Sequence, residues 1–182
     1  MRRAFAIPVA FAALIAAGCG GGSKPATSSS PPAAVGSIHV SSNFAPGAAI
    51  PQVYTCDGRD VSPPVRAVGL PASTREVVVV MRDPDAPGGN FIHWDVAGLD
   101  PAKGSIALAA AAKPSAAVDG RNSFGSLGYR GPCPPAGPAH HYELTVYALG
   151  QPSGLKDGFP AGDVAALPIL GQGTLTGTYA RP

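Results

Sequence analysis

The strongest apolar run in the chain is Glu76-Val77-Val78-Val79-Val80-Met81-Arg82. A block of β-branched residues fits a strand buried on both faces better than a helix, because such side chains pack well on a pleated surface. The run meets Asp83-Pro84-Asp85-Ala86-Pro87-Gly88-Gly89, where the prolines and glycines must end it. Pro84 disfavours the helical region for Asp83, so the two acids are expected side by side at a strand end.

Shorter patterns fall around this strand. Residues 38–42, 52–55 and 65–69 read as strands, the first two separated by Asn43-Phe44-Ala45-Pro46-Gly47, a turn signal. In 91–97 strict alternation puts Ile92, Trp94 and Val96 on a core face, and Phe91, His93 and Asp95 on the other. In 140–149 the face bearing Leu144, Val146 and Ala148 is core-like and carries His140 and Tyr142 at its edge; His141, Glu143, Thr145 and Tyr147 take the opposite face. Residues 173–179 form a last strand. The Ala-rich segment 105–118 is expected to be a loose loop with at most one helical turn, since Pro114 interrupts it and no amphipathic stripe is present. Residues 120–138 are too rich in Gly and Pro for a regular element and read as a long structured loop. Asp163 is expected to N-cap a short helix over 164–167 that Pro168 ends.

Composition supports many short strands joined by turns: 24 Gly and 21 Pro in 182 residues exclude a helical bundle. A net charge of +2 gives no argument for a nucleic-acid partner. Arg2 and Arg3, the apolar stretch 4–17 and the small residues before Cys19 read as an export signal. It resembles a bacterial lipoprotein signal, with Cys19 as the lipidated first residue of the mature chain; Ala16 stands where Leu is usual. The expected organisation is therefore a signal over 1–18, a Gly/Ser/Pro tether over 19–36 and one domain over 37–182, held at the extracytoplasmic side of the cell membrane by its lipid. Two cysteines remain, Cys56 and Cys133, which either bridge in an oxidising compartment or stay buried thiols.

Four motifs in order, Asp83-Pro84-Asp85-Ala86-Pro87, His93-Trp94, Gly131-Pro132-Cys133-Pro134-Pro135 and His140-His141-Tyr142, resemble those of the phosphatidylethanolamine-binding protein family. Cys56-Asp57-Gly58, Arg121-Asn122-Ser123-Phe124-Gly125 and Gly177-Thr178-Tyr179 look like its bacterial Raf-kinase-inhibitor-like branch. The resemblance implies an all-β, antiparallel β-sandwich with one or two short helices. It implies a small pocket for phosphate or phosphorylated head-group-type anions, lined by Asp83, Asp85, Pro87, His93, Pro134, Pro135, His140 and Tyr142. It implies no cofactor and no assigned catalytic reaction, and in some members inhibition of a kinase or protease; a protein target is left unnamed. His141 stands where the family commonly has Arg, and Asp95 where an apolar residue is common.

The physical expectation for such a site is indirect. Asp83 and Asp85 would accept hydrogen bonds from His93 or His140, raising the imidazole pKa so that the rings donate to an anion. Backbone N–H groups of 131–137 and the Tyr142 hydroxyl would add donors. Two alternatives compete: a metal-dependent hydrolase using the Asp/His cluster, and a protein-interaction module with a vestigial pocket.

Overall fold

A computed structural model of the chain describes residues 36–182. Cys19, the signal over 1–18 and the tether over 19–35 lie outside the described residues; Gly36, at the tether's end, starts the first strand.

Among the described residues, nine strands form two sheets. In chain order they are β1 (Gly36–Ser37), β2 (His39–Ser41), β3 (Val65–Val68), β4 (Glu76–Asp83), β5 (Phe91–Leu99), β6 (Ser105–Leu108), β7 (Val118–Asp119), β8 (His140–Leu149) and β9 (Ile169–Tyr179). The large sheet has the order β1-β9-β8-β4-β5-β7 and the small one β2-β3-β6. All pairings are antiparallel except β1 with β9. The fold is the expected all-β one, with one short α-helix among the described residues, α1 (Ala161–Ala165).

The valine run lies at the centre of the large sheet, as its composition requires. Val77, Val79 and Met81 face the small sheet and join Trp94, Val96, Leu144 and Val146 in the main core. Val78 and Val80 face outward and are covered by Phe159 and by Val164 of α1. Both faces of β4 are therefore dry, which explains why its apolar pattern is continuous rather than alternating.

Four local expectations are corrected. Residues 52–54 form a 3-10 turn, not a strand: Pro51 presets φ at −56°, and Thr55 closes the turn with its N–H and its hydroxyl on the Gln52 carbonyl. The Ala-rich segment contributes β6, whose Ile106 and Leu108 point inward, and ends in β7. The helix starts at Ala161 with Pro160 at the cap position, so Asp163 lies in its first turn and caps nothing. The last strand begins at Ile169, directly after Pro168.

A fifth correction shapes the site. Met81 pairs with Trp94 but Arg82 pairs with Ile92, so His93 is an extra residue in β5, a β-bulge. The bulge breaks the alternation read from sequence. Ile92 joins the outer apolar cluster while Trp94 and Val96 face the main core. His93 turns to the same side as Phe91, and Asp95 is left on the outer face, opposite Val80.

Candidate functional site

The site sits where β4, β5 and β8 end together. Asp83, the last residue of β4, pairs with Phe91 at the start of β5. On its other side, β4 pairs with β8, whose first residues are His140, His141 and Tyr142. The long loop between β7 and β8 closes over this edge. A cavity of about 140 Å³ results, lined by Asp83, Ala86, Pro87, Phe91, His93, Phe124, Cys133, Pro134, Pro135, His140 and Tyr142. Seven of the eight residues expected from sequence are among them.

Asp83 is nearly saturated. Its Oδ1 accepts the backbone N–H of Asp85 at 2.8 Å and of Ala86 at 3.0 Å. This Asx turn swings the chain away from the strand direction. Its Oδ2 accepts from His140 Nδ1 at 2.8 Å. The carboxylate thus fixes the imidazole ring at the cavity edge.

Asp85 does not line the cavity. The turn carries it outward, where its Oδ2 accepts both the backbone N–H and the Nδ1 of His141, each at 2.7 Å. These bonds, the backbone one foremost, hold its carboxyl below the usual carboxylate range. The two acids side by side in the sequence therefore anchor two successive histidines, one inside and one outside.

His93 behaves differently from the expectation that a carboxylate would charge it. Its Nδ1 donates to the Arg130 carbonyl at 2.7 Å, and the Arg130 N–H returns a bond to the His93 carbonyl at 2.8 Å. Burial, at 3% exposure, holds its pKa below the ordinary histidine value. The lowered pKa favours the uncharged ring, and its Nε2 makes no hydrogen bond among the described residues. It is packed edge-on against Phe124 and Tyr142, with ring centroids 5.5 and 5.2 Å away.

Tyr142 is 1% exposed, and its hydroxyl has no hydrogen-bond partner. Burial and the nearby Asp83 carboxylate push its pKa upward, so it stays a neutral donor. The expected nest of loop donors is thinner than the sequence suggested. The Gly131 N–H is spent on Asp60 Oδ1 at 2.7 Å, and Pro132, Pro134 and Pro135 have none to offer.

The loop wall is held from behind. Cys133 is bridged to Cys56, with Cα atoms 5.4 Å apart. The Tyr129 hydroxyl donates to the Tyr54 carbonyl. Gly131 runs so close to the 54–55 backbone that a Cβ there would lie 2.1 Å from the Tyr54 carbonyl oxygen. At the mouth, the Arg130 guanidinium stacks on Phe124, 5.1 Å from the ring centroid. Phe91, Phe124 and the Arg130 carbonyl were not singled out as site groups from sequence. The signals for Phe124 are its place in the Arg121–Gly125 motif and an aromatic ring within a Gly-rich loop. Among the described residues, no group of three or more His, Cys, Asp or Glu side chains is placed to hold a metal ion.

The family model for phosphatidylethanolamine-binding proteins matches residues 40–180. The chain belongs to that family. Among curated relatives, a UPF0098 protein of Pyrococcus horikoshii is 36% identical over 96% of this chain and 89% of its own length. LppC of Mycobacterium tuberculosis, named as a proposed lipoprotein, is 38% identical over 89% of this chain and 88% of its own. Among solved structures, the phosphatidylethanolamine-binding protein homologue CT736 of Chlamydia trachomatis aligns with a TM-score of 0.73 and 31% identity, over 80% of this chain and 99% of that one. YbcL of E. coli, described as a member of the mammalian family, aligns with a TM-score of 0.71 and 27% identity, over 80% and 99%. Within this phosphatidylethanolamine-binding protein fold, the cavity edge is built from the four motifs that carried the resemblance.

Proposed function

We propose that the chain is an exported, membrane-anchored member of this family whose cavity binds phosphate or a phosphorylated head-group-type anion, and that in doing so it modulates a partner protein. The observation that carries the reading is the His140–Asp83 pair at the rim of a cavity of about 140 Å³, room for a head-group-sized guest. With Nδ1 donated to Asp83, a His140 imidazolium would present Nε2–H to the guest. A charge-assisted pair of this kind is stronger than two neutral bonds. Similarity to LppC supports an anchored location for the domain.

The test is calorimetric titration of the full chain in detergent with inorganic phosphate and with phosphoethanolamine at several pH values. Saturable binding is expected, and it is expected to drop at least about tenfold in His140→Ala. No saturable binding at millimolar ligand, or an unchanged affinity in folded His140→Ala, contradicts the proposal.

A further inference from the structure

The polar atoms facing this cavity are unusual for an anion site, because one of them accepts. His93 donates Nδ1–H to the Arg130 carbonyl, which leaves Nε2 with a lone pair and no proton. The ring cannot be turned over to offer a donor without giving up that bond, and it is wedged between Phe91, Phe124 and Tyr142. Next to it stands Asp83, a carboxylate that also only accepts. An anion whose oxygens all carry lone pairs meets repulsion on this side. An anion that keeps one O–H donates it here, while its other oxygens face His140.

Resting on the anion-cavity reading above, we infer that the pocket selects a tetrahedral oxyanion that still carries a proton, and that His93 Nε2 reads this proton. Free phosphate qualifies at neutral pH, and a phosphomonoester only below its second pKa, about 6. Phosphodiesters, including the head group of an intact phospholipid, do not, and neither does sulfate. The discrimination is the kind a buried polar group enforces when a guest leaves it unpaired or opposed. Burial of His93 supports it, since it disfavours the imidazolium that would otherwise turn Nε2 into a donor.

The experiment compares four probes on the full chain in detergent: inorganic phosphate, methyl phosphate, dimethyl phosphate and sulfate. At pH 7.5, inorganic phosphate, which keeps one O–H, is expected to bind about tenfold or more tightly than sulfate, with dimethyl phosphate as weak as sulfate. Methyl phosphate loses its last proton near about pH 6. Its affinity relative to inorganic phosphate is therefore expected to fall about tenfold between pH 5 and 8, since the ratio removes pH effects on the protein that both ligands share. His93→Gln, whose amide can turn to donate, is expected to narrow the phosphate-to-sulfate ratio. If that variant does not fold, the native ratios decide alone. Vesicles of phosphatidylethanolamine are expected not to displace phosphate. Sulfate or dimethyl phosphate within about threefold of phosphate overturns the selectivity while leaving the anion cavity standing. No phosphate binding at all overturns both.

Discussion

His140 at the start of β8 donates its Nδ1–H to Asp83 at the end of β4, 2.8 Å away, and Asp83 spends its other oxygen on the turn that follows it. One carboxylate thus sets both the ring that faces the guest and the backbone that forms the cavity's lip. Asp83→Asn keeps the shape but cannot satisfy both demands. If its oxygen caps the turn, its amide meets His140 and forces the opposite tautomer. The expected cost is about 1–3 kcal/mol in urea unfolding and at least about tenfold in phosphate affinity. Ring-nitrogen NMR shifts of His140 are expected to report the tautomer change. An unchanged His140 spectrum in a folded variant argues against the coupling.

Asp95 predicts a pH effect of unusual sign. It is 0% exposed, neither carboxyl oxygen has a hydrogen-bond partner, and burial pushes its pKa up to about 7. In the unfolded chain an aspartate titrates near about 4. Between these values the unfolded state releases a proton that the folded state keeps, so stability falls as pH rises from about 4 to about 7 and stays low above it. The full loss is on the order of 4 kcal/mol. Asp95→Asn has no proton to lose. It is expected to match the native chain near pH 4 and to be the more stable of the two at pH 8, read as the urea midpoint. Parallel profiles for the two proteins would refute the assignment.

The same residue shows where the sequence stops being readable. The valine run is legible because continuous β-branched burial has one structural meaning. The inward face of β8 is legible because nothing interrupts its period of two from His140 to Ala148. In β5 the pattern from Phe91 to Val96 looks the same with or without a bulge. One extra residue at His93 separates Ile92 from Trp94 and sends Asp95 to the outer face, and no residue type announces it. The position of Asp85 is hidden for a related reason: a period of two does not continue through the Asx turn that Asp83 itself creates. Ser105–Leu108 was hidden by alanines, whose propensity argues for neither element strongly enough to expose a short strand. The role of Arg130 as the group that fixes the His93 tautomer belongs to its carbonyl, which every residue has and no side chain advertises.

Export and anchoring rest on the sequence alone and are open to a direct test. Cells expressing the full chain and fed an alkyne-tagged fatty acid are expected to label it at Cys19, and the label is expected to disappear in Cys19→Ser. The native chain should fractionate with membranes and resist high salt, because an acyl anchor is held by buried methylenes and not by charge. Salt extraction of the unsubstituted chain would sink the anchoring proposal.

The Cys56–Cys133 bridge spans 77 positions and ties the loop wall of the cavity to the segment behind it. In the chain-entropy account, closing a loop of that length stabilises by about 4 kcal/mol. The bridge also does something local: Cys133 lines the cavity beside Pro134 and Pro135, which have no N–H with which to hold themselves in place. Reduction, or Cys56→Ser with Cys133→Ser, is therefore expected to lower the thermal midpoint and to weaken phosphate binding by more than the stability loss alone explains. The comparison that decides is affinity measured well below the lowered midpoint, where the chain remains folded. Unchanged affinity there would mean that packing against Tyr54 and Asp60 is enough to hold the wall, and that the disulfide contributes stability without shaping the site.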